Sequence, residues 1–176
     1  MWTGIESATI RSISSFLFAQ SLRLQQPMSD LFEVIVKRVS PDIQSGQYKV
    51  VLQDKLSGRL LLIWVGHFEG SAIALGLEES WAPRPLTHDL IKNIIHSLNA
   101  SLSRVIITDL KDNTFYAVVC IILDGKEIVV DSRPSDAIAI AIREKSPIFI
   151  SSNLADKMID EVDEIFETMQ PKETVH

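Results

Sequence analysis

The sequence predicts an α+β domain. Its centre is a mixed or antiparallel sheet built from two duplicated hairpin–helix units, with further helices against it. Three observations point there. Apolar runs of strand length recur and end at turn residues, notably Leu56-Ser57-Gly58-Arg59 and Asp124-Gly125. Two Ala- and Ile-rich stretches, Ala72 to Leu77 and Ala137 to Ile142, each follow one of those hairpins. A chain of 176 residues, 46% apolar and 23% charged, is one domain with short appendages, able to bury a core without disulfides or metal.

Each element has its own signal. Phe32, Val34, Val36 and Val39 give rough alternation, and Tyr48 to Leu52 is a β-rich run. Leu60 to Val65 is apolar enough for a buried strand. The run from Ser71 to Glu79 predicts a short, buried helix. Pro83-Arg84-Pro85 is a stiff loop. Thr87 is expected to cap the next helix, with Asp89 in its first turn. Leu90, Ile91, Ile94, Ile95 and Leu98 fall on one face of that helix, and Asn99 ends it. Arg104 to Leu110, Phe115 to Leu123 and Ile128 to Asp131 read as strands, with a tight turn at residues 111–114. A second short apolar helix spans Ala137 to Glu144, and Ile148 to Ile150 is a short strand. From Ser152 to Met169, Leu154, Met158, Val162, Ile165 and Met169 make an apolar stripe on an acidic helix.

The chain carries an internal repeat. Ala72 to Leu77 matches Ala137 to Ile142 at an offset of 65, which also sets Ile63 against Ile128 and Val65 against Val130. Each unit is a hairpin, a polar loop and a buried helix. The two helix N-termini are therefore expected near one another, each with free backbone N–H groups.

Composition removes several classes. The single cysteine, Cys120, sits in an apolar run, so a disulfide scaffold, a zinc module and an iron–sulfur site are out. No stretch is long and apolar enough to span a membrane. With no secretory pattern either, the expected location is cytoplasmic. Residues 1–27, Ser-rich and nearly free of acids, read as a leader or upstream extension. Residues 28–150 form the domain, and 151–176 an acidic amphipathic helix and tail. The net charge is −6, of which the tail contributes −5 and residues 28–150 only −2. That balance speaks against a simple electrostatic binder of nucleic acid, but a local site can still hold a phosphate.

Phosphate-loop, GxGxxG, HExxH and GxSxG patterns are absent. Polar groups gather instead at element ends. The densest group is Asp131-Ser132-Arg133-Pro134-Ser135-Asp136, where capping alone accounts for Ser135 and Asp136. The sharper reading makes Asp131 and Asp136, with Glu69, ligands of Mg²⁺ or Mn²⁺. Arg84, Arg133 and Ser135 would bind substrate phosphate, and His88 would be a general base or a first-turn polar residue.

Four ordered segments resemble the bifunctional nuclease family. They are Ile63-Trp64-Val65-Gly66-His67-Phe68-Glu69-Gly70-Ser71-Ala72-Ile73-Ala74, Pro83-Arg84-Pro85-Leu86-Thr87-His88-Asp89-Leu90, Asp112-Asn113-Thr114-Phe115-Tyr116-Ala117 and Asp131-Ser132-Arg133-Pro134-Ser135-Asp136-Ala137-Ile138. The resemblance spans about Leu31 to Ile150, with Gly70 where the family usually has Ala. It implies an α+β fold and, from plant members, cleavage of RNA and DNA. The expected function is metal-assisted phosphodiester hydrolysis, with Glu69, His88, Asp131 and Asp136 catalytic. The alternative is a non-catalytic ligand- or partner-binding regulatory domain. Trp64, Phe68, Trp81 and the C-terminal stripe suggest a homodimer or higher homo-oligomer.

Overall fold

The computed structural model describes residues 30–43, 45–79 and 82–161. Seven strands among them make one sheet: β1 (Leu31–Pro41), β2 (Tyr48–Asp54), β3 (Leu60–Val65), β4 (Ser101–Lys111), β5 (Thr114–Leu123), β6 (Lys126–Ser132) and β7 (Ile148–Ser151). The spatial order is β3-β2-β1-β7-β4-β5-β6. Neighbours are antiparallel except β4 and β7, which run parallel. The sheet is thus mixed, as expected. Outward from β7, each side shows the first, second and third strand of one meander. This is the duplicated arrangement the repeat predicts.

Local chemistry accounts for the turns. Asp112 and Asn113 both have positive φ, 48° and 58°, and so do Asp124 and Gly125, 50° and 74°. Those are the values a two-residue hairpin of right-handed twist requires. Asp54 closes the β2–β3 turn by accepting hydrogen bonds from the Ser57 and Leu56 N–H groups at 3.0 and 3.3 Å.

Three helices follow: α1 (His67–Leu77), α2 (Thr87–Ser97) and α3 (Pro134–Glu144). α1 and α3 are the same length and begin earlier than apolar periodicity indicates. Their polar "loops" are first helical turns. The turn glycines, Gly58 and Gly125, and the helix starts, His67 and Pro134, then share one offset of 67. At that offset Glu69 corresponds to Asp136, and Gly66 to Arg133. The offset of 65 paired Ala-Ile dipeptides instead.

The core lies between the sheet and these helices. Val34, Val50, Leu52, Ile63, Val105, Ile107, Val119 and Ile150 face Ile73, Ile138 and Ile140 there. Gly70 lets α1 settle on β2. A Cβ at that position would overlap Tyr48 Cβ and Cγ, so the family's usual Ala would not fit beside this tyrosine.

α2 departs from expectation. Its start is capped by Asp89, whose Oδ2 accepts the Leu86 N–H at 2.9 Å, while Thr87 is the first helical residue. Ile95 is buried, but Leu86, Leu90, Ile94 and Leu98 form an exposed aliphatic ridge. The helix docks on α3 by polar contacts. His88 Nε2 meets Asp136 Oδ1 at 3.2 Å and His96 Nε2 meets Glu144 Oε2 at 2.9 Å. Both pairs are separated by 48 residues, so the two helices run in the same direction. The expected helix from Ser152 is also corrected. Ser152–Lys157 is a short 3₁₀ helix, and Ile159 then pairs with Leu60 of β3 through reciprocal backbone hydrogen bonds. The rest of that segment, and the 1–27 leader, lie outside the described residues.

Arg143, in the last turn of α3, ties the three helices together. Only 8% of its side chain is exposed. Its Nε donates to Asp89 of α2 at 2.7 Å, and its Nη1 to the carbonyls of Ala72 in α1 and Ala139 in α3 at 3.0 and 2.9 Å. Gly76 leaves room for that guanidinium. Removing it takes the cation from Asp89, whose side chain is 36% exposed, and the donor from the Ala72 and Ala139 carbonyls. Arg143→Met is therefore expected to cost about 2 kcal/mol, read as a fall of about 6 °C in thermal unfolding followed by circular dichroism.

Candidate functional site

The first turns of all three helices meet. Arg133, the residue before α3, lies between Glu69 of α1 and Asp136 of α3. Its Nε donates to Asp136 Oδ2 at 2.7 Å, its Nη2 to Asp136 Oδ1 at 3.2 Å, and its Nη1 to Glu69 Oε1 at 3.0 Å. His88 of α2 joins through Asp136 Oδ1 at 3.2 Å. The result is one chain of contacts, His88–Asp136–Arg133–Glu69. Backbone choices support it. Gly66 has no Cβ to collide with Glu69 Oε2, which folds back over the start of α1. Pro134 needs no N–H at the first position of α3.

A guanidinium has five N–H donors. Three are spent on the two carboxylates, and the other two have no partner among the described residues. The Arg133 side chain is 65% exposed, so these donors face water. The two carboxylates fix the plane of the fork and leave its outer edge open. That is the geometry in which arginine takes a phosphate.

The electrostatics follow from the contacts. Burial pushes the Asp136 carboxyl up, but hydrogen bonds from Arg133 and His88 outweigh it, and its pKa lies below the ordinary aspartate value. The same carboxylates raise the Arg133 pKa further. A carboxylate only accepts, so the His88 Nε2 carries a proton toward Asp136. In the neutral ring the lone pair then lies on Nδ1, which has no partner among the described residues. His88 is buried and its ring is held in one orientation.

The other residues picked out from sequence lie elsewhere. Asp131 pairs in register with Val118, on the sheet face away from the helices, because successive strand residues alternate. It is exposed there, apart from the His88–Glu69 chain. Ser135 is buried in the first turn of α3. Arg84 is exposed in the segment before Leu86, outside the chain of contacts. Cys120 is buried, and its thiol is pushed up to about 11 by burial, so it stays protonated and inert. No group of three or more His, Cys, Asp or Glu is placed to hold a metal ion among the described residues. Glu69 and Asp136 converge, but on the Arg133 cation. As folded, the donor set does not fit the expected Mg²⁺ or Mn²⁺.

Two residues escaped the sequence reading. Arg143 appeared only as the end of an apolar helix, and its one signal is a basic group in a last turn of Ala and Ile. Phe68 appeared only as part of an apolar surface for self-association, not as a group beside the site. It is 84% exposed, and its neighbours His67 and Glu69 are the hint that it is not core.

The family model described as "Bifunctional nuclease domain" matches residues 50–163. The chain belongs to that family. Two curated relatives match at 42% identity over 118 residues, 67% of this chain and 70% of theirs. Both are named as uncharacterized proteins of Mycobacterium tuberculosis, from the CDC 1551 / Oshkosh and ATCC 25618 / H37Rv strains. The family match covers all four residues of the contact chain. No helix of the described residues is long and apolar enough to cross a membrane.

The Asp136 titration tests this geometry. Its depressed pKa contributes stability present above the unfolded value and lost as pH falls through the folded one. Arg133→Met removes two of its donors, so its pKa should rise toward the ordinary aspartate value. Carboxyl NMR should show Asp136 titrating at higher pH in the variant, and the stability lost on acidification below the unfolded aspartate value should be smaller than in the wild type.

Proposed function

We propose that this domain hydrolyses phosphodiester bonds of nucleic acid at the His88–Asp136–Arg133–Glu69 site. The observation that carries this is the Arg133 fork, held by Glu69 and Asp136 beside an aspartate-oriented histidine, in a member of the bifunctional nuclease family. Arg133 grips the non-bridging oxygens of the phosphate with its two outward N–H groups. His88 takes the proton of the attacking water at Nδ1 as the new P–O bond forms, and the oxygen released as the old P–O bond breaks takes a proton from solvent. Asp136 holds the imidazole by Nε2 and stabilises its charged form, and Glu69 keeps the Arg133 fork in plane.

No step is assigned to a metal ion, because the carboxylates that would hold it are engaged by Arg133. The expected result is cleavage of a labelled oligonucleotide that persists in EDTA and falls about 100-fold or more in His88→Gln. Full activity in His88→Gln removes the base assignment. Loss in EDTA, restored by Mg²⁺ or Mn²⁺, would assign the chemistry to a cation instead.

We also propose that the chain self-associates, through α2. Trp64 and Phe68 are exposed, and Trp81 lies outside the described residues. The broader apolar surface is the Leu86, Leu90, Ile94 and Leu98 ridge, spaced at four residues for helix-to-helix packing. Light scattering should give about twice the chain mass of 19.7 kDa, and the Leu90→Asp/Ile94→Asp double variant should return it to the single-chain value.

A further inference from the structure

Phe68 is the most exposed large apolar side chain among the described residues within any helix, at 84%. It is the second residue of α1, where a polar group would serve solubility better. It takes no part in the core. Its ring touches the edge of His67 at a centroid distance of 5.7 Å, and His67 rests in turn on Tyr48 at 5.4 Å. Both contacts are edge-on, at 84° and 67°. The ring is therefore steadied from one side while most of its surface stays open to water.

Its position gives that surface a use. Phe68 is one residue from Glu69, whose carboxylate holds the Arg133 fork at 3.0 Å. Consecutive Cα atoms are about 3.8 Å apart. An open aromatic face and a guanidinium with two uncommitted N–H groups thus both lie at the first turn of α1. A nucleotide presents the matching pair, a flat base and a phosphate. A base inside a duplex is already stacked on both faces, whereas an unpaired base has a face to offer.

We propose that Phe68 stacks on an unpaired nucleobase whose phosphate is held by Arg133, so that the site selects single-stranded over duplex nucleic acid. This rests on the reading of the site as a nuclease and adds the form of substrate it takes. His67 acts as a positioning residue that sets the ring angle. The weak overall charge of the domain is consistent with it, because stacking supplies affinity that does not come from a basic surface.

The test uses the full chain with a labelled 12-nucleotide single strand and the same sequence as a blunt duplex. Both binding, by fluorescence anisotropy, and cleavage are measured for the wild type, Phe68→Ala and Phe68→Trp. Circular dichroism verifies that each variant is folded, as an exposed position allows. The expected wild-type preference is for the single strand. Phe68→Ala should raise KM and Kd for the single strand about tenfold with kcat little changed, and Phe68→Trp should retain wild-type values. An unchanged KM and Kd in Phe68→Ala, or an equal loss on single strand and duplex, overturns the proposal while leaving the nuclease reading standing. Single-strand binding that depends on Phe68 without cleavage upholds the stacking role and ends the nuclease reading. Absence of both binding and cleavage in the wild type ends both.

Discussion

The Arg133 guanidinium between Glu69 and Asp136 is the interaction on which the site depends. Each carboxylate stands at the third position of its helix, and the two helices descend from corresponding parts of a duplicated unit. Two first-turn acids brought this close would repel one another. One cation, supplied by the residue that is Gly66 in the other unit, turns that repulsion into a clamp. The two copies place a carboxylate at the same helical position, and Arg133, where the other copy has Gly66, pairs with both.

The helices make this possible by sharing a direction. α1 and α3 meet at their starts through Arg133 and at their ends through Gly76 and Arg143. α2 and α3 are matched by His88–Asp136 and His96–Glu144. Three helix N-termini therefore gather at one end of the layer, where their dipoles add to the attraction for an anion. Glu69, Asp89 and Asp136 temper that field in the absence of substrate. Arg143 reaches back from the last turn of α3 to Asp89 in the first turn of α2 and to Ala72 in α1, and so holds the three helices in this alignment.

Much of the fold was legible because the strands obey simple rules. The Asp124-Gly125 and Asp112-Asn113 turns carry their backbone preferences in their residue types. The helix starts were less legible. His67-Phe68-Glu69 and Pro134-Ser135-Asp136 are polar or mixed, so apolar periodicity skips them, yet they are helical. That displacement hid the correspondence of Glu69 with Asp136. The site was half legible for a related reason. His88, Asp136, Arg133 and Glu69 all come from recognisable segments, but Asp131 goes to the other sheet face by strand parity, which depends on pairing that no local pattern states. The carboxylates read as metal ligands because proximity in sequence says nothing of which cation they face. The apolar residues of α2 suggested a core contact, whereas much of that face points outward and the helix is held by His88, Asp89, Lys92 and His96.

The central claim is that Glu69 and Asp136 act on substrate through one shared guanidinium. It is tested most directly by a double-mutant cycle on kcat/KM for oligonucleotide cleavage, comparing Glu69→Gln, Asp136→Asn and the double variant. Groups that work through a common partner are non-additive. The account predicts that the double variant loses at least about tenfold less than the product of the single losses. Additive losses, or wild-type activity in either single variant, would contradict it.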